Sequence, residues 1–133
     1  MAALTKDRLS SFRVLKRDVR PLAASVKAIK GGLAVAKSGY YKPGVVETGA
    51  VVVGRFTETV DNTAGAAGAK SAEIEFFKDR VVFLLNNDGA NPVVAADREA
   101  SCYVIDDQTV SQLATGRSVA GKVYDVTSEE IGR

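Results

Sequence analysis

The sequence contains no histidine, no tryptophan and a single cysteine among its 133 residues. Without histidine it lacks the commonest general base, the usual activator of a nucleophile and the commonest metal ligand. One cysteine excludes an intrachain disulfide and a zinc site built on several thiolates. That residue, Cys102, stands in the apolar run Cys102-Tyr103-Val104-Ile105 and reads as a small buried hydrophobe. No apolar stretch approaches the ~20 residues of a membrane helix. The opening MAALTKDRLSS has no apolar core of the signal-peptide kind, so synthesis in the cytoplasm, with no membrane partner, is expected. Hydrophobic residues at 46% and charged residues at 26% fit one ordinary globular domain.

What is present is unevenly charged. Residues 1–30 carry Lys6, Arg8, Arg13, Lys16, Arg17, Arg20, Lys27 and Lys30 against Asp7 and Asp18, a local charge of +6. The whole chain is +2, which leaves −4 for the rest. A basic end on a mildly acidic body suits an arm that seeks an acidic partner. The division expected is a basic N-terminal arm over 1–20 and a single β-rich domain over 21–133. Leu9, Phe12, Val14, Leu15 and Val19 punctuate the arm at spacings that fit either a short helix or an extended segment. Pro21 ends any helix before it.

Beyond Pro21 the pattern is that of short strands. Leu33–Ala36 and Tyr40–Lys42 flank the turn Lys37-Ser38-Gly39 and predict a hairpin. Val51 to Val60 reads as one strand, with Val51-Val52-Val53 buried on both sides. Asp61 to Lys70 is a loop of small residues. Ala72-Glu73-Ile74-Glu75-Phe76 alternates cleanly, and Val81 to Leu85 resumes as an apolar strand. Asn86 to Pro92 is dense in turn formers, and Val93 to Ala100 suits a short helical turn. Ser101–Ile105, a return at Val110 and a last strand Val119–Val126 complete the set. Strands at this spacing argue for a mainly β fold, a small barrel or sandwich of β-tulip-like form, with little helix.

The candidate chemistry is thin. Ala64-Gly65-Ala66-Ala67-Gly68-Ala69-Lys70-Ser71 ends in Lys-Ser like a phosphate loop, but Ala69 replaces the required glycine. A strand rather than a helix is expected next, so no helix N-terminus is on hand to hold a phosphate. Asp106-Asp107 suits a turn cap better than a metal site. Glu58, Glu73 and Glu75 compare poorly with the paired acids of a hydrolase, since Glu73 and Glu75 share one face of a single strand where solvated residues belong. No enzyme activity, cofactor or metal is expected. Nucleic-acid binding by the basic arm is the alternative, although Phe12 alone lies among its charges and gives no stacking platform.

Several motifs together resemble a family of small head proteins of tailed bacteriophages. They are Val26-Lys27-Ala28-Ile29-Lys30-Gly31-Gly32-Leu33-Ala34-Val35 ahead of Gly39-Tyr40; Val53-Gly54-Arg55, Glu58, Val60-Asp61-Asn62 and Gly65-Ala66-Ala67-Gly68-Ala69-Lys70; and Cys102 to Val110, followed by Arg117 to Val123. The likeness covers roughly residues 22–126. It implies a capsid decoration, or cement, protein that sits on the outer surface of the virion capsid after assembly in the host cytoplasm. Its partners would be the major capsid protein and itself, as a homotrimer. Another head or tail subunit is the competing role. On this reading Arg8, Leu9, Phe12, Arg13, Leu15, Lys16 and Arg17 would anchor the arm, and Asp61, Asn62, Gly65, Gly68 and Lys70 would form a contact loop. Relatives tend to carry a basic segment where this chain has Phe77-Lys78-Asp79-Arg80, and to end in an apolar-aromatic strand where it has Glu129-Glu130-Ile131-Gly132-Arg133.

Overall fold

The computed structural model describes residues 16–77 and 84–126. They form eleven short strands: β1 (Arg17–Pro21), β2 (Val26–Ala28), β3 (Leu33–Lys37), β4 (Tyr40–Pro43), β5 (Val51–Phe56), β6 (Val60–Asn62), β7 (Ser71–Phe76), β8 (Asn86–Asn87), β9 (Ser101–Val104), β10 (Thr109–Ser111) and β11 (Val119–Lys122). One turn of 3-10 helix, Ala95–Asp97, stands in the expected helical stretch. The fold is mainly β with little helix, as the strand spacing predicts.

The strands make three sheets: β1-β7-β5-β3-β4, β11-β9-β10-β8 and the pair β2-β6. Every pairing is antiparallel except β8 with β10. The hairpin β3–β4 turns at Ser38 and Gly39, whose φ angles of 54° and 85° match the primed two-residue turn that suits twisted strands. The five-stranded sheet is not a closed barrel. Its ends meet through a single bridge between Leu22 and Tyr41, just beyond β1.

Each face of the large sheet carries a core. Leu22, Ala34, Phe56, Ala72 and Ile74 pack on one face beneath β2 and β6. Removing a side chain such as Phe56 or Ile74 from water contributes about 1.5–3 kcal/mol. On the opposite face Leu33 meets Leu85, Val93, Cys102, Val110 and Val123 of the second sheet. That second sheet covers only part of the face. Toward β1 the same face is left uncovered among the described residues, and there it carries Arg17, Arg55 and Glu75.

Several expectations are corrected. Val51 to Val60 is not one strand: β5 ends at Phe56, and β6 leaves to pair with β2. The break falls at Thr57, whose amide donates to the Glu73 carbonyl. Val51-Val52-Val53 is not buried on both sides, because Val51 is 61% exposed. The last strand is shorter than Val119–Val126. A register shift between Val119 and Gly121 changes its phase, so Ala120 and Val123 both face the core. Asn86-Asn87, expected in a turn, pairs in parallel with β10. Of the strand expected over Val81 to Leu85, 81–83 lie outside the described residues. The boundary expected between arm and domain falls inside β1, which is a full member of the large sheet.

Candidate interaction surface

Of the residues singled out from sequence, those that are described lie in two places, at opposite ends of β1. Arg8, Leu9, Phe12, Arg13 and Leu15 are outside the described residues. Lys16 is exposed, and its carbonyl accepts from the Phe76 amide at 2.8 Å. Arg17 follows at the start of β1. The loop residues gather at the other end, where the Leu22 amide donates to the Lys70 carbonyl at 2.9 Å. Four residues of strand separate the ends, about 13 Å.

The loop is built onto its own domain. Asn62 is 1% exposed, and its side-chain amide donates to the carbonyls of Ala23 (2.9 Å) and Ala66 (3.2 Å). Its Oδ1 is buried without a hydrogen-bond partner, against the Gly65 backbone, where an added Cβ would lie 1.9 Å away. The Gly68 amide donates to the Leu22 carbonyl, and the Gly65 carbonyl accepts from Ser25. Gly68 takes a φ of +80° beside the Tyr40 ring. Both glycines therefore serve this loop's own path. Lys70 donates through Nζ to the Asp61 carbonyl, and β7 starts at Ser71, so the Lys-Ser pair leads into a strand. Asp61 accepts from both the hydroxyl and the amide of Thr63, and these bonds hold its carboxyl below the usual range. A cavity of about 390 Å³ opens among Asp61, Thr63, Gly65 and Lys70. Thr63 and Ala64 on its wall, and Ala66 and Ala67 further along the loop, are exposed.

At the other end of β1, antiparallel register sets Arg17 opposite Glu75 and Glu75 opposite Arg55. Arg55 donates through Nε and Nη2 to Glu75 Oε1 at 2.9 and 2.8 Å, and Arg17 Nη2 reaches Oε2 at 3.3 Å. The hydrogen bond from Arg55, opposed by desolvation and aided by Arg17, lowers the Glu75 pKa. An ionised, doubly paired carboxylate is unsuited to act as a general acid. Glu73 accepts from the Thr57 hydroxyl at 2.7 Å, and its amide donates to Glu58 at 2.8 Å, so the three acids have separate partners. Sequence reasoning placed Glu73 and Glu75 on an outward face and missed Arg55 and Lys30. The signal was an arginine at an outward position of β5, but its meaning depends on the register with β7.

The remaining candidates have structural roles. Burial pushes the Cys102 thiol up to about 11, so it is protonated at neutral pH and a poor nucleophile. Asp106 Oδ1 accepts from the Gln108 amide at 2.9 Å, the turn cap expected of it. Burial and the neighbouring Asp106 raise the pKa of Asp107. Among the described residues no three of Cys, Asp and Glu gather as metal ligands, and no helix is long and apolar enough to cross a membrane. The chain matches no protein-family model, and no curated protein or solved structure matches it.

Proposed function

We propose that this protein is a structural adhesion subunit of a tailed-phage virion, a decoration protein that docks on the outer capsid surface and cements neighbouring major capsid subunits as a trimer. The observation that carries the reading is the continuity of positive charge. The basic N-terminal sequence leads into β1, and β1 presents Arg17 on an open sheet face beside Arg55. A charged surface of this kind steers association and orients it, and the repetition of the site over a lattice turns weak contacts into high avidity. The sequence resemblance to phage head proteins supplies the identity of the lattice.

Electron microscopy of particles assembled with the tagged protein tests this reading. Three-fold clusters on the outer face support it. A six-fold or twelve-fold ring at a vertex would instead mark a head-completion or tail subunit. Retardation of DNA with a steep salt dependence would favour a nucleic-acid module acting through the basic end.

A further inference from the structure

Where the turn between β2 and β3 meets the open face of the large sheet, a cavity of about 240 Å³ is lined by Arg17, Lys30, Gly31, Arg55, Phe56 and Thr57. Three cations border it; two of them share the carboxylate of Glu75, and Glu73 and Glu58 stand off on the Thr57 side. The side chain of Glu75 is 16% exposed, while those of Arg17 and Arg55 are 53% and 46% exposed. The carboxylate therefore lies beneath and the guanidiniums outside it. Glu75 fixes both cations without covering them, and among the described residues most of their N–H donors remain unspent. Among the described residues the Lys30 ammonium has neither an ion pair nor a hydrogen bond. Gly31 keeps the rim open: its φ of +89° suits glycine, and no atom beyond its two chain neighbours lies within 4 Å of where a Cβ would stand.

We propose that this cavity is a socket for a single carboxylate, an Asp or Glu side chain presented by an acidic partner protein. Two pre-oriented guanidiniums and an unpaired ammonium match the charge and the planar acceptor geometry of a carboxylate. The surroundings select against a polyanion. Glu73 and Glu58 flank the cavity on the Thr57 side, so the positive potential is local and does not continue as the stripe that a run of phosphates needs. Val19 lies two residues along β1 from Arg17, is 56% exposed, and supplies an apolar contact beside the charge. The socket deepens the adhesion reading and rests on it. Its test runs first without a capsid, so the two fail separately.

The full-length isotope-labelled protein is titrated at constant ionic strength with the capped peptide acetyl-Gly-Glu-Gly-amide, with its glutamine counterpart, with inorganic phosphate and with a short DNA duplex. NMR follows the Nε–H signals of Arg17 and Arg55 and the amides of Gly31 and Thr57. Saturable shifts with the glutamate peptide, none with the glutamine peptide and competition by phosphate support the socket. Lys30→Gln then weakens the peptide about fivefold, the scale of one exposed charge contact, while Lys27→Gln leaves it unchanged. Absence of a saturable shift, equal shifts from both peptides, or tighter binding of the duplex overturns the proposal. On particles, loss of decoration by Lys30→Gln supports the socket, and full decoration overturns its docking role while leaving adhesion intact. Peptide binding by a protein that decorates nothing supports the socket and removes the capsid reading.

Discussion

Single side chains hold this fold where strands are too short to do so. Asn62 is the clearest case, because one amide bridges the β1–β2 connection and the Asp61–Lys70 loop. Asn62→Ala leaves two carbonyls without their donor and opens a void. Such a change costs about 2 kcal/mol. Chemical denaturation should show a lower midpoint with an unchanged slope; an unaltered midpoint would refute the role. Glu75 gives a second prediction, in pH. Its pKa is lower in the folded protein than the ordinary 4.5. It therefore contributes stability above that value, and the contribution disappears as pH falls through the folded pKa. Glu47 shows the same direction: partial burial raises its pKa, but Lys42 and Lys37, at 2.6 and 2.9 Å, outweigh that. The acid limb of the wild-type stability curve is thus shared. Glu75→Gln should flatten it below about pH 4.5 and leave Glu47's part in place, as melting temperatures across pH would reveal. Parallel curves for the two proteins would show that Glu75 contributes nothing to it.

Strands and turns differ in how readily the sequence exposes them. The β3–β4 hairpin was legible because Ser38-Gly39 is a local turn signal. The β9–β10 hairpin was legible for the same reason, through the Asx turn at Asp106. The split of Val51–Val60 was not, since nothing local announces that residues 60–62 pair with residues 26–28. The phase change in β11 was hidden too: a bulge adds a residue without altering composition. The charged site was half legible. Alternation put Glu73 and Glu75 outward, but their partners stand 16 to 58 residues away and depend on the register of three strands. The joint between the sheets is equally non-local. Ser118 is buried, donates to the Glu47 carbonyl at 2.7 Å and accepts from the Ala50 amide at 3.1 Å. It ties the β4–β5 connection to the start of β11. Ser118→Ala should lower stability by about 1–3 kcal/mol, because both partners lose their bond in a buried place. Hydrogen exchange would show faster exchange at Ala50, and exchange at the wild-type rate would exclude this coupling.

For the molecule as a whole, the placement of β1 decides how the N-terminal segment should be tested. A cut that removes residues 2–20 takes away most of a strand paired along five positions with β7. It also removes Arg20, whose guanidinium stands 5.9 Å from the Tyr41 ring centre and 5.7 Å from that of Phe76. Such a protein would lose decoration simply through a damaged sheet, and the loss would say nothing about adhesion. Removal of residues 2–15 leaves β1, Arg17 and the charged face whole. The shorter cut should therefore keep the melting temperature within a few degrees, since ~1 kcal/mol shifts a domain of this size by roughly 4 °C, and should still abolish capsid decoration if the basic segment is the anchor. The longer cut should melt markedly lower. Calorimetry of both, with particle imaging of the 2–15 deletion, separates folding from docking. Full decoration by that deletion would move the anchoring role from the segment to the folded surface around Arg17, Arg55 and Lys30.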